Sequence, residues 1–252
     1  MIVVDGVTKS YGSTVVVDDV SLVLPRGGVT AVIGPNGAGK STLLSIIGRL
    51  LESDRGAVTV DGMDVASTPS RDLARRLAIL RQDTHLSVRV TVRELVAFGR
   101  FPHSQGRLSA EDDEAVDEAV AFLELEPYAD RFLDQLSGGQ RQRAFVAMTL
   151  AQRTDYVLLD EPLASLDMRH SAAMMRLLHR MASELDRTVV VVIHDINFAS
   201  WHADRIVAMR DGRVVADGPP ADIVEGAVLS DVFDTPVDVH EVAGKRLGVY
   251  FG

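Results

Sequence analysis

VTAVI at Val29 to Ile33, GPNGAGKS at Gly34 to Ser41 and the apolar-rich stretch from Thr42 to Leu51 follow one another without a break, and together they decide the fold. The apolar run reads as a buried strand and the last stretch as a helix. Between them lies the pattern Gly, four residues, Gly-Lys-Ser, in the strand, turn and helix context that gives it meaning. Gly34, Gly37 and Gly39 let the backbone curl so that successive N–H groups point inward at an anion, and the helix start adds its partial positive charge. Lys40 is then placed to reach the β- and γ-phosphates of a nucleotide, and the Ser41 hydroxyl to ligate Mg²⁺. A glycine-rich turn without a ligand is the plainer reading of the same letters.

Almost a hundred residues later LSGGQ, Leu136 to Gln140, offers what looks like a second cradle. Ser137 and Gln140 have helix-capping spacing, and Gly138-Gly139 leave the helix start bare of side chains. Its N–H groups and the Ser137 hydroxyl can therefore meet an anion. Taken alone, this is an ordinary helix cap.

Composition narrows the field. The 252 residues carry a formal charge of −10 and contain no run of five or six basic residues, which argues against nucleic acid as a main partner. With no cysteine there are no disulfides, thiolate zinc sites or cysteine nucleophiles, in keeping with a reducing cytosol. The start MIVVDGVTKSYG has no signal-peptide pattern, and no apolar stretch approaches the roughly 18 residues that span a bilayer, so any membrane role is expected to be peripheral. Only Lys9, Lys40 and Lys245 are lysines, the rest of the positive charge being arginine. The cradle keeps a lysine where a planar guanidinium would not fit.

Along the chain, Ile2 to Val7, Val15 to Leu24 and Ala57 to Val60 are β-type runs, the third followed by the turn pair Asp61-Gly62. They predict an antiparallel layer around the cradle strand. From Val88 to Leu150 the pattern turns helical. Thr91 and Glu94 have capping-box spacing, Ser109 and Asp112 nearly so, and Ala115, Val116, Ala119, Val120 and Leu123 mark an apolar face. We expect one α/β domain in which residues 88–150 form a helical subdomain between 1–87 and 151–252. Tyr156 to Leu159 and Thr188 to Ile193 read as parallel strands. The stretch between them has helical period, with Met168, Ala172, Met175, Leu178 and Leu185 on one face. Gly218-Pro219-Pro220 marks a break before a short C-terminal tail.

Ligand groups in an open α/β sheet gather at the carboxyl ends of strands. Asp160 stands at the end of one late strand, suited to hold Mg²⁺, and Glu161 beside it is a candidate general base for an attacking water. His194 ends the other, where it can hydrogen-bond a γ-phosphate or orient that water. Each has a plain alternative, a solvated turn for the carboxylates and a satisfied structural group for the histidine. Convergence on one cradle favours the chemical reading.

GPNGAGKS, Gln82, LSGGQ, YVLLDEP, SLD and His194, in that order, resemble the nucleotide-binding subunits of ATP-binding cassette transporters over essentially the whole chain. The resemblance implies an α/β fold with a RecA-like P-loop NTPase core, an antiparallel β subdomain and an inserted α-helical subdomain. Gly34, Pro35, Asn36, Gly37, Ala38, Gly39, Lys40, Ser41 and Thr42 look like the Walker A loop that binds ATP. Asp160 resembles the Walker B acid, Glu161 the catalytic base and His194 the switch histidine, with Lys40 among the catalytic groups. Gln82, a polar loop residue when seen alone, matches the Q-loop glutamine that senses Mg²⁺ and the transport partner. Mg²⁺ would thus involve Ser41, Gln82 and Asp160. Asp167 matches the D-loop, a helix cap being the default reading, and Tyr11 matches the aromatic that stacks on adenine. The family works as a head-to-tail homodimer in which Ser137, Gly138, Gly139 and Gln140 face the partner's ATP.

A finer similarity, carried by VRELVAFGRFPHSQGRLSAEDD, AMTLAQRTDYVLLDEPLASLDMRHS and VIHDINFAS, is to the ATPases of bacterial iron-siderophore importers, with haem and cobalamin importers as alternatives. It implies a chain at the cytoplasmic face of the membrane, integral permease subunits and a periplasmic or lipid-anchored substrate-binding protein. Asp83 to His103 would dock the permease. A GTP switch is disfavoured by the missing guanine-reading string. A non-transport relative acting on DNA or ribosomes is disfavoured by the absence of long insertions and by the acidic charge.

Overall fold

The computed structural model describes residues 1–82 and 88–250. Its strands are β1 (Ile2–Tyr11), β2 (Thr14–Leu24), β3 (Val29–Ile33), β4 (Arg55–Val60), β5 (Met63–Asp64), β6 (Leu77–Leu80), β7 (Tyr156–Asp160), β8 (Thr188–Val192), β9 (Arg205–Arg210), β10 (Arg213–Gly218), β11 (Asp238–Val242) and β12 (Lys245–Val249). The helices are α1 (Lys40–Ile47), α2 (Ser70–Ala74), α3 (Val92–Phe98), α4 (Phe101–Ser104), α5 (Ala110–Phe122), α6 (Gly138–Ala151), α7 (Met168–Glu184), α8 (Ile196–His202), α9 (Pro220–Ile223) and α10 (Gly226–Phe233).

Six strands form the central sheet in the order β10-β9-β3-β8-β7-β6, parallel from β9 through β6 and closed by antiparallel β10. Strands β3, β7 and β8 are buried along their whole length, which explains their continuous apolar sequence. Alternation along each strand divides the core between two faces. Val29, Ala31, Ile33, Val157, Leu159, Val189 and Val191 join one apolar cluster with residues of α3, α5, α6, α7 and α8. Val32, Leu158, Val190 and Val192 face the other way, onto α1 and the four-stranded antiparallel sheet β2-β1-β4-β5. The Asp61-Gly62 pair makes the β4–β5 turn.

Helices α3, α5 and α6 pack on one another, and α6 also reaches β6. Capping boxes open all three, with Thr91 and Glu94, Ser109 and Asp112, and Ser137 and Gln140 as the reciprocal pairs. The face Ala115, Val116, Ala119, Val120 and Leu123 is buried, as its spacing predicts.

Two expectations need correction. Met168 does not belong to the buried face of α7, since it is 85% exposed in the first turn, whereas Met174, Met175, Leu178 and Met181 are buried. The segment after Gly218 is more than a tail, because α9, α10 and the β11–β12 hairpin follow, with β12 against α8. The docking segment from Asp83 lies outside the described residues as far as Ser87, and Val88 to His103 runs through α3 into α4.

One buried ion pair ties the helices together. Arg100, 1% exposed between α3 and α4, donates from Nε to Asp112 Oδ1 at 2.8 Å and from Nη1 to the Ala151 carbonyl at 2.8 Å. Asp112 Oδ2 accepts the Ser109 N–H at 2.9 Å and its hydroxyl at 2.8 Å. The Ser109 N–H first, then the Arg100 guanidinium and the Ser109 hydroxyl, hold the Asp112 carboxyl down at about 2, although burial pushes the other way. Asp112→Asn leaves Arg100 buried without its counter-charge, and we expect a loss of about 3 kcal/mol near neutral pH. The folded carboxyl titrates below its ordinary 3.8, so its contribution is full above about pH 4 and is lost as pH falls toward 2. Urea denaturation of both proteins across that range should show the gap closing on acidification.

Candidate nucleotide site

The site is built where three parallel strands end level. Leu159 and Asp160 of β7 pair with Val191 and Val192 of β8, and Val32 of β3 pairs with Val192 from the other side. Two further backbone bonds carry the alignment past the strands: Glu161 N–H to the Val192 carbonyl at 3.1 Å, and Ile193 N–H to the Val32 carbonyl at 3.2 Å. The loop from Gly34, Glu161 and His194 therefore emerge at one edge.

Local crowding dictates the loop sequence. Gly34 has φ 141°, and a Cβ there would sit 2.0 Å from the Met209 carbonyl oxygen. Gly39, which caps α1 with φ 92°, would bring a Cβ within 2.4 Å of the Val16 carbonyl oxygen. No side chain fits either place. Asn36 and Gly37 are exposed at the tip, Pro35 is half-buried, and Ala38 is buried with its N–H on the Pro35 carbonyl.

Lys40 is 5% exposed and donates from Nζ to the carbonyls of Gly34 and Pro35, each at 2.8 Å. Burial lowers its pKa, while the charges of Glu161 and Asp160 work in the opposite direction. Ser41 Oγ donates to Asp160 Oδ1 at 2.8 Å. Burial raises the Asp160 pKa, the Ser41 bond opposes that, and the Glu161 charge adds to the rise. A lysine whose hydrogen bonds go to neutral carbonyls and a carboxylate whose charged form burial disfavours thus share one region of low dielectric, an environment that suits both a phosphate and a cation.

Glu161 turns out of β7 with φ 50°, a left-handed conformation uncommon for a residue with a side chain. Its two oxygens are held separately. Oε2 accepts from Gln82 Nε2 at 2.7 Å and Oε1 lies 2.7 Å from His194 Nε2. Gln82, Glu161 and His194, far apart in sequence, thus form one chain of polar contacts.

A cavity of about 310 Å³ lies over this edge, lined by Tyr11, Ser41, Thr42, Ser45, Leu50, Leu51, Arg81, Gln82 and Asp160. Tyr11 ends β1 at its rim, 54% exposed. The Ser137–Gln140 turn is not among its lining residues. That turn instead caps α6, with Ser137 Oγ accepting the Gln140 N–H at 3.3 Å and Gln140 Oε1 accepting the Ser137 N–H at 2.9 Å. Asp167 caps α7, its Oδ1 accepting the His170 N–H at 2.8 Å.

Sequence reasoning did not single out Arg81, which lines the cavity and whose charge opposes the rise of the Asp160 pKa. Its signal was the short run LAIL before it, which forms β6 and puts the next residues at the same sheet edge. His170 sits three residues after Asp167, a spacing that allows its contact with the cap.

Comparison with known proteins agrees with this geometry. The model of the ABC transporter family matches residues 17–164. The petrobactin import ATP-binding protein YclP of Bacillus subtilis is 49% identical over 251 residues, covering all of both chains. The probable siderophore transport system ATP-binding protein YusV of the same organism is 42% identical over 233 residues, 92% of this chain and 85% of that one. A dimeric ATP-binding cassette in a post-hydrolysis state, bound to ADP and phosphate, superposes with a TM-score of 0.77 at 32% identity, over 87% of this chain and 99% of that one. A phosphate loop at a parallel sheet edge, the strand-end carboxylates beside it and a match over the full length leave one assignment: the chain belongs to the ABC transporter family, as an ATP-binding subunit of that family's transporters.

Proposed function

We propose that this protein hydrolyses ATP as one half of a head-to-tail homodimer and thereby drives an importer of an iron-siderophore complex. The observation that carries the reading is the separation of two anion-binding elements within one chain. Ser41, at the end of the Gly34–Ser41 loop, lines the cavity together with Asp160, while the Ser137–Gln140 turn, a second helix start open to an anion, does not line it. Apart from its chain neighbours and the backbone of its own helix turn, Gly138 has no atom within 4 Å of a Cβ built on it, so packing against the rest of the chain does not require glycine there. Close approach by a group from outside does.

In this reading the loop N–H groups and Lys40 hold the β- and γ-phosphates, and Tyr11 at the rim offers a face to the adenine. Glu161 accepts a proton from water as its oxygen attacks the γ-phosphorus and ADP leaves. Its left-handed backbone and its bonds to Gln82 and His194 fix the carboxylate without filling its remaining acceptor sites. His194 and the partner's signature turn steady the charge on the transferred group. The donors around the cavity also suit Mg²⁺, since Ser41 and Asp160 present hard oxygens 2.8 Å apart and Gln82 has an amide oxygen. Among the described residues no three His, Cys, Asp or Glu side chains gather as a metal centre, so phosphate oxygens and water would complete the shell. Bound there, Mg²⁺ would supply positive charge to offset that of the phosphates.

Among the described residues no helix is long and apolar enough to cross a membrane. We assign the chain to the cytoplasmic face, bound to permease subunits through the region from Asp83 to His103, with a substrate-binding protein delivering cargo on the other side. Helices α3 to α6 form the arm that moves with the signature. The names of relatives at 49% and 42% identity support siderophore cargo. Uptake of a ferric siderophore by vesicles carrying the subunit with its permease tests the assignment, and ATP turnover without uptake of any such chelate would refute the cargo.

Replacing a general base costs about 10² to 10⁴ in rate. Glu161→Gln should bind ATP normally, release phosphate at least about a hundredfold more slowly and accumulate as an ATP-bound dimer on size-exclusion chromatography. Ser137→Arg should bind ATP to the isolated subunit with unchanged affinity yet lose turnover, because the added side chain occupies the space reserved for the partner's phosphate. Unchanged phosphate release by that variant at saturating ATP would refute the opposed arrangement.

A further inference from the structure

The starts of α6 and α7 meet at one side chain. His170, in the first turn of α7, brings Nδ1 within 2.7 Å of Asp167 Oδ1, the same oxygen that caps the helix. The ionised Asp167 carboxylate can only accept, so Nδ1 is the donor. The opposite edge of the ring faces α6. A Cβ built on Gly139 would lie 2.5 Å from His170 Cδ2 and 2.8 Å from Cγ. Gly139 is buried in regular helix, so it needs no special backbone freedom. The imidazole is what excludes a side chain there. The two glycines of the signature thus answer to different demands, Gly138 to an external group and Gly139 to His170.

We infer that His170 is a positioning residue that joins the Asp167 cap to the Ser137–Gln140 turn of the same protomer, so that both elements meet the partner subunit as one unit. This rests on the opposed-dimer reading above. Asp167 is 65% exposed on its side chain and Ser165, two residues before it, has φ 63°, so the polar tip of the turn before α7 faces outward while Leu163 and Leu166 pack on the core. The imidazole is a rigid plate with two torsions, one edge bonded to that loop and the other packed on a bare stretch of backbone. A cavity of about 270 Å³ opens beside it, among Arg143, Arg169 and Arg176. Without the Asp167 bond the ring has room to swing away from Gly139, and the two helix starts can shift independently.

The contact is tested by melting four proteins: wild type, Gly139→Ala, His170→Ala and the double variant. Gly139→Ala should lower Tm by about 5 °C in the wild-type chain and by under about 2 °C when His170 is already alanine. Equal losses in both backgrounds would overturn the contact. The coupling is tested by phosphate release at saturating Mg²⁺-ATP, with binding of a fluorescent ATP analogue to the isolated subunit as control. His170→Ala should lower kcat about tenfold and leave Kd unchanged, and His170→Asn, whose amide NH₂ stands near the position of Nδ1, should recover at least half the rate. A kcat within twofold of wild type in His170→Ala, an equal change in Kd, or an asparagine variant no better than alanine would overturn the coupling. Failure of the dimer reading looks different: wild type itself releases no phosphate, or Ser137→Arg matches it, and the melting cycle still decides the contact.

Discussion

The carbonyl of Val192 and the strand register around it set the geometry on which the site depends. Strand β8 is hydrogen-bonded on both sides, and the bonds from Glu161 to Val192 and from Ile193 to Val32 hold three chain exits at one level. A side chain placed one residue later on any of these strands would point to the opposite face of the sheet. The rigid sheet therefore supplies the precision, while the residues proposed to do chemistry sit at its strand ends or on the turns just beyond them. This division explains why β3, β7 and β8 are so uniformly apolar, since their part is to stay in register.

Electrostatics then gives the edge its selectivity. Lys40, Asp160 and Glu161 are brought together in a region where burial disfavours the charged forms of the first two. Neutral carbonyls from Gly34 and Pro35 satisfy the ammonium's hydrogen bonds without cancelling its charge. A polyphosphate can accept directly from that ammonium, and the oxygen donors opposite suit the counter-ion a polyphosphate brings with it. The preference for a nucleotide is in this sense a property of the pair of deficits, and neither group alone would produce it.

What could be read in the sequence was whatever short-range chemistry decides. The Val29–Ile33 strand, the glycine loop, the capping boxes at Thr91, Ser109 and Ser137 and the apolar face of α5 each involve residues within one or two turns of each other. Asp112 was legible as the partner of Ser109, but its pairing with Arg100 was not, because twelve residues separate the two and, as a letter, Arg100 is indistinguishable from a solvated charge; only the packing of α3, α5 and α6 buries the pair. Met168 fits the helical period of its neighbours yet lies in the first turn, before α7 reaches the core. The β11–β12 hairpin alternates weakly and is mostly exposed, so nothing in its own sequence announced that α8 would complete it. For the site, residue types and order were legible, but the bonds that join Gln82, Glu161 and His194 depend on sheet order.

The scarcity of lysine makes the same point about constraint. Of the three, Lys245 is exposed and Lys9 pairs with Asp54 near the surface, positions at which arginine would serve as well. Lys40 is the buried one, its single nitrogen bonded to two carbonyls of the loop it closes. A guanidinium spreads its charge over a plane and presents its donors as a fork, which suits a carboxylate approached from one side. In a loop pressed so closely on the Met209 and Val16 carbonyls that Gly34 and Gly39 can carry no Cβ, a single nitrogen converging on two loop carbonyls suits the geometry better than that fork. A chain that otherwise uses arginine has kept the smaller cation where geometry, and not charge alone, selects the residue.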